Sequence, residues 1–347
     1  MRVRLPLPAP DALYPHHYLA PQGRVFCYNG YVMWALFPIL ANFFYVSGSY
    51  LENYLTDIAL PKKRAGALIL GRLPSYVITM LILFAIFGRA VFILPFGNAC
   101  GLILAGAINV IASSYYFKAL QTGDAADVNI FTQLSPVISL GLGVLILGEI
   151  VSAMQGIGLA IIMVAILLIV FGTTSKKERS SPNLHVARLT ITYAFFSILS
   201  DVVLVYFIQG FSADMILFAR SLFFFSIGSA LMVIMIAICR HSWRKAFIST
   251  FFKSKNHSRN MAALIGDNVS WTIAEFIYKY GLLTVPVIAM MTAVSKVSSL
   301  FISFFIFTLF LGHIFPKFVH GKRITARILS RYLIAAVLIV VGIIVMS

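Results

Sequence analysis

Long apolar runs separated by short polar or basic segments dominate the sequence. They lie at 31–51, 66–87, 97–117, 127–147, 152–172, 189–208, 214–238, 262–280, 285–311 and 328–346. A helix needs about 20 mainly apolar residues to cross a hydrocarbon core. Every backbone N–H and C=O in hydrocarbon must be paired within its own segment, so such runs are helical. A β-barrel would instead need segments of roughly ten residues with alternating polarity. Ile161 to Val170 is continuously apolar. The pattern predicts an all-α integral membrane protein with ten transmembrane helices. Residues 1–29 contain Pro6, Pro8, Pro10, Pro15 and Pro21 and read as a Pro-rich polar N-terminal tail. They lack the apolar core and cleavage site of a signal peptide.

Composition supports this class. The 347 residues are 60% hydrophobic and 11% charged, too few charges to cover a soluble fold of this size. The net charge of +16 would suggest nucleic acid in a soluble chain. Here the 27 Lys and Arg are ordered by position instead. Arg2, Arg4, Arg24 and Arg89 lie in the tails or even-numbered loops, and Arg72, Arg220, Lys279 and Lys296 lie within runs. All the others fall in odd-numbered loops. The positive-inside rule makes those loops cytoplasmic and puts both termini outside. Cys27, Cys100 and Cys239 form no CxxC or metal-ligand pattern, and no cofactor is expected.

The chain reads as internally repeated. GLILAGAINVIASSYYFKAL at 101–120 and AALIGDNVSWTIAEFIYKYG at 262–281 both place Ile-Ala at mid-span and a Lys near the end. Leu147-Gly148-Glu149 is echoed by Leu311-Gly312-His313, and Arg72 by Arg220. This gives two five-helix units, 30–173 and 189–347, joined by a basic linker at 174–188. An odd number of spans per unit turns the second upside down, the inverted repeat of many transporters.

Residues 115–170 carry a recognisable pattern: Tyr116, Ala119-Leu120, Pro136, Gly148-Glu149, Gln155 and Gly158, in that order and spacing. The segment resembles the EamA repeat of the drug/metabolite transporter superfamily. In the second half Tyr278, Leu311-Gly312 and Gly342 fit, whereas His313 replaces the motif Glu and Lys296 stands where a Pro belongs. The resemblance implies two inverted five-span repeats that move small organic metabolites. It also implies cytoplasmic termini, opposite to the charge distribution.

Ionisable groups at bilayer depth are costly, about 2.5–3.5 kcal/mol each on insertion scales, and face cavities or partners. Arg72, Asp201, Arg220, Asp267, Glu275, Lys279 and Lys296 are such groups. On span eight, Asn268, Thr272, Glu275 and Lys279 share one helical face, and Asp267, Trp271 and Tyr278 form an adjacent stripe. This helix is expected to line a solute path, with Trp271 and Tyr278 stacking on an organic solute. The plainer alternative is a local Glu275–Lys279 pair. Lys296, in mid-span, is expected to pair with Asp267, Glu275 or Asp201, a contact that could couple transport to protons. Arg72 and Arg220 read either as snorkelling residues or as a symmetric anion-binding pair. Pro136 is expected to kink span four. Asn109, Ser113 and Tyr116 form a stripe on span three, and Asn42, Tyr45, Ser49 and Glu52 a weaker one on span one. Glu149 reads as a carboxylate at a helix end.

The candidate site is thus Arg72, Asn109, Tyr116, Pro136, Asp201, Arg220, Asp267, Trp271, Glu275, Tyr278 and Lys296. The expected function is a secondary transporter of small organic solutes in the cell (inner) membrane. Its partners would be the lipid bilayer and a small-molecule substrate, not nucleic acid, with monomer and homodimer both open. The alternatives are a membrane-embedded enzyme or a non-transporting scaffold. No HExxH, GxSxG or Walker motif supports an enzyme.

Overall fold

Helices occupy each of the apolar runs. In the computed structural model the described residues are 33–60, 66–122, 128, 131–173, 184–208, 214–285, 287–303 and 326–346. Among them there is no strand. The N-terminal tail and the Leu311-Gly312-His313 motif lie outside the described residues. So does 174–183 of the expected linker; 184–188 is already helical.

The first half comprises α1 (Met33–Tyr54), α2 (Leu68–Gly71), α3 (Leu73–Phe87), α4 (Phe96–Thr122), α5 (Ser135–Leu142) and α6 (Ala153–Thr173). The second comprises α7 (Leu184–Ile208), α8 (Met215–Cys239), α9 (His241–Phe251), α10 (His257–Thr284), α11 (Ile288–Ile302) and α12 (Ala326–Met346). Among the described residues, four segments are long and apolar enough to cross a membrane: Leu68–Phe92, Phe96–Thr122, Leu184–Ile208 and Met215–Cys239. Their outer faces stay uncovered, with Leu81 61% and Ile86 67% exposed. Apolar surface on that scale has no place in water and belongs against lipid.

Two local features differ from expectation. The basic loop after Cys239 folds into α9. Its Trp243, Ala246, Phe247, Thr250 and Phe251 recur at helical spacing and turn inward, while Arg244 and Lys245 stay exposed. Trp243 lies on Gly66, where an added Cβ would come within 2.5 Å of its ring. Span four does break at Pro136, but as a turn rather than a simple kink: residues 131–132 are helical, Gln133 and Leu134 form the turn, and Pro136 stands in the first turn of α5, where its missing N–H costs little. The Ser135 hydroxyl donates to the Thr132 carbonyl at 2.6 Å, the acceptor that Pro136 leaves unused.

Helix packing is close and specific. α1 packs on α10 and α11, α4 on α7 and α8, and α5 on α7 and α11. α3 packs on α8, and α6 on α12. Without a hydrophobic drive between helices in lipid, small residues and hydrogen bonds hold such contacts. At the α4–α8 crossing, a Cβ on Gly106 would lie 2.0 Å from the Phe225 carbonyl oxygen. A Cβ on Gly228 would lie 1.9 Å from that of Ile103. Hydroxyls stitch the same seam: Ser200 donates to the Ala105 carbonyl at 2.8 Å, and Ser229 to that of Gly106 at 3.1 Å.

Because the obstacle at Gly228 is backbone, no rotamer can relieve it. Gly228→Ala should destabilise by about 1–3 kcal/mol. Gly156→Ala, where nothing lies within 4 Å of the new Cβ, should leave stability unchanged or slightly raised. Thermal melting of the two variants in detergent checks the contrast.

Candidate functional site

A cavity of about 500 Å³ lies between the two halves. α1, α3, α4 and the start of α5 line it from the first half, and α7, α8, α10 and α11 from the second; α6 and α12 contribute none of its lining. Its wall combines rings (Tyr45, Tyr76, Tyr116, Tyr193, Trp271, Tyr278) with hydroxyls and charged groups. Asn42 braces the wall by donating from Nδ2 to the Ser295 carbonyl at 2.8 Å and the Ser298 hydroxyl at 2.8 Å.

Two charge clusters adjoin the cavity. In the first, Arg72 stands at the break between α2 and α3, where Pro74 opens a new helix. The Asn268 amide donates to the Gly71 carbonyl at 2.8 Å and so holds the break against α10. Arg72 bonds directly to Glu52 and lies 3.7 Å from Asp267. Its guanidinium carbon sits 4.2 Å from the Trp271 ring centroid, a cation–π contact. In the second cluster, Lys279 Nζ lies 3.0 Å from Asp201 and 3.1 Å from Glu275. Tyr45 donates to the other Glu275 oxygen at 2.8 Å, and Lys279 also lies over Phe225. The local Glu275–Lys279 pair therefore exists, but as part of a three-helix cluster.

Lys296 lines the cavity and is half-buried. None of the expected partners reaches it. Asp267 pairs with Arg72, while Asp201 and Glu275 pair with Lys279. Among the described residues no carboxylate oxygen lies within 4.0 Å of the Lys296 ammonium. The reason is register: Lys279, one helical turn past Glu275, takes both acids before α11 can present its own cation.

Arg220 is not at the cavity. Its Nε donates to the Ala90 carbonyl at 2.8 Å, in the turn after α3. Arg72 is at the other end of that span, roughly 25 Å away along the helix. The symmetric anion-binding pair does not form. Asn109 and Tyr116 line the cavity, and Tyr116 packs against Tyr193 at 5.1 Å between centroids. Pro136 does not line it, though its neighbour Ser135 does. Glu52, Tyr76 and Tyr193 carry more of the site than the sequence suggested. Glu52 had a signal, a carboxylate in an otherwise apolar run; the tyrosines had none, since aromatic residues abound throughout.

A cluster of rings adjoins the cavity at Phe276. Phe37 and Phe218 meet Tyr280 edge-on, at 5.4 and 5.3 Å between centroids, and Phe218 meets Phe276 at 4.9 Å. Towards the other end the lining runs to Glu52, Tyr116, Thr132, Tyr193 and Ser303, close to the basic loops. Among the described residues no group of three or more His, Cys, Asp or Glu is placed to hold a metal ion.

Residues 32–171 match the EamA-like transporter family, part of the drug/metabolite transporter superfamily. Over those residues the chain is similar to EamA-like transporters. No curated protein sequence matches the chain. A solved crystal structure, described only as that of a protein, superposes with a TM-score of 0.62 at 14% identity. The superposition covers 91% of this chain and 97% of the other. The shared fold therefore extends through the second half, beyond the EamA-like match. Family and apolar helices together make this an integral membrane protein.

The motif of the EamA-like domain is mostly structural. Ser152 and Gln155 form a reciprocal capping box that opens α6, each side chain bonding the other's backbone N–H, at 3.0 and 3.2 Å. Gly158 meets α12 where a Cβ on Gly342 would lie 3.0 Å from its carbonyl oxygen. Gly148 has φ +65°, the left-handed region that favours glycine. Glu149 is more than a helix-end carboxylate: its Oε1 accepts the Ile288 N–H at 3.1 Å, capping α11 in the other half. Gly143 leaves room for it, since a Cβ there would lie 2.2 Å from the other carboxylate oxygen.

Removing the cation of the first cluster strands two buried acids. Arg72→Met should destabilise by roughly 3–5 kcal/mol. Adding Glu52→Gln and Asp267→Asn to it should recover a large part of the loss. Detergent melting curves of the single and triple variants check this.

Proposed function

We propose that the protein is a secondary transporter that moves small organic solutes by alternating access through the central cavity. The observation that carries this reading is a 500 Å³ cavity lined by both halves, ringed by aromatic residues, and holding charged groups at membrane depth. Buried charges facing a cavity mark solute paths. A scaffold has no need of such a chamber. The family to which the EamA-like domain belongs comprises transporters, which argues against an enzyme.

We read the architecture as ten spans in two inverted five-span repeats, 30–173 and 189–347. The pairing of helices supports this. Exchanging each span with its counterpart five spans later maps α1·α10 onto α7·α4, and α1·α11 onto α7·α5. The pairs α3·α8, α5·α11 and α6·α12 map onto themselves. Sites at a repeat interface with rocking halves are the usual arrangement in such carriers. We read the ring cluster around Tyr280, next to the cavity at Phe276, as one gate. By the distribution of Lys and Arg, the other end faces the cytoplasm and the protein sits in the cell membrane with both termini outside.

Two measurements test the reading. Proteoliposomes preloaded with a metabolite mixture should show saturable counterflow; flux that is linear in concentration, or none, removes the carrier. Ser299→Cys, with Cys27, Cys100 and Cys239 replaced by Ser, should react with a membrane-impermeant maleimide from the basic-loop side. Saturating substrate should slow that labelling several-fold.

A further inference from the structure

Three cationic side chains adjoin the cavity, and they are not equivalent. Arg72 contacts two carboxylates, Glu52 and Asp267. Lys279 also contacts two, Asp201 and Glu275. Each cluster, fully ionised, carries one net negative charge. Lys296 faces the same space with no carboxylate within 4.0 Å among the described residues. It stands eight residues into α11, about 12 Å from that helix's start, which is beyond easy snorkelling on that side. The two net negative clusters offset its charge from a distance, but no carboxylate is in contact with it, so its donors are open to an anionic group of a ligand.

We propose that the cavity takes a small organic monoanion whose single anionic group is held by Lys296. This rests on the reading of the cavity as a solute chamber. The nearby hydroxyls of Thr292 and Ser299 on α11 already donate to the Ile288 and Lys296 carbonyls, at 3.0 and 2.8 Å, which leaves the ammonium as the donor for an anionic group. Donors of the Asn42 amide are already spent on α11 itself. The two negative clusters limit the ligand further. They repel any negative charge, so one anionic group is held only in contact with the Lys296 ammonium, and a second, with no cation of its own, is disfavoured. The remaining wall, with Tyr45, Tyr116, Tyr193, Trp271 and Tyr278, fits a neutral ring-bearing body by edge and face contacts.

The test uses four probes of similar size on the purified full chain in neutral detergent: benzoate, benzamide, benzylammonium and phthalate. Binding is read by thermal shift and by titration of tryptophan fluorescence. Benzoate should bind and the other three should bind at least about tenfold more weakly, the difference expected for a charge-assisted contact. Lys296→Gln should weaken benzoate binding by about tenfold or more, and Lys296→Arg should largely retain it. Benzamide, benzylammonium or phthalate binding as well as benzoate overturns the proposal. So does benzoate that fails to bind the wild type, or that binds Lys296→Gln unchanged. The comparison of probes on the wild type stands even where a variant folds poorly. Failure of the transport reading is separate: it shows as benzoate binding without counterflow. Counterflow of a neutral or cationic solute without benzoate binding removes the anion and leaves the carrier.

Discussion

An ionised side chain in a hydrocarbon slab must find an opposite charge, a cavity, or the surface. That constraint organises this protein. Glu52 on α1, Arg72 between α2 and α3, and Asp267 on α10 meet because none of them can be left alone at that depth. Asp201 on α7 meets Lys279 and Glu275 on α10 for the same reason. Both clusters join helices of the first and second halves or of distant segments. They fix α10 as the helix around which the cavity is built. The break at Arg72 serves the same end, since it turns the guanidinium towards α1 and α10 and leaves a carbonyl for Asn268.

Around that charged centre, the contacts that hold the bundle are small and polar rather than bulky. Gly106 and Gly228 bring α4 and α8 to backbone contact, and Gly158 and Gly342 do so for α6 and α12. Lipid solvates Leu and Phe as well as a neighbouring helix does, so close backbone packing and hydroxyl bonds carry the association. The motif of the EamA-like domain belongs largely to this layer. Gln155 caps a helix, Gly148 turns the chain, and Glu149 caps α11 across the halves. A motif of this kind identifies the fold and leaves the solute to other residues.

Lys296 places a cation in the cavity wall. The local acids are already committed to Arg72 and Lys279, so its ammonium faces the cavity without a carboxylate in contact.

Sequence alone determined the class and the elements. Apolar runs near the length of a bilayer must be helices, because unpaired backbone groups cannot exist in hydrocarbon, and composition leaves no soluble alternative. It also marked most of the cavity-adjoining residues, because charge is so rare in such runs that Arg72, Asp201, Asp267, Glu275 and Lys296 stand out. The amphipathic pattern of α9 was legible too, though hidden among basic loop residues. Partnership was not legible. Which acid meets which cation depends on helix rotation and crossing, set by glycine contacts between segments more than a hundred residues apart. Only the tertiary structure decided that Lys279 takes two of the three acids expected for Lys296, and Arg72 the third. It alone removed Arg220 from the cavity, since symmetry in sequence became opposite ends in space.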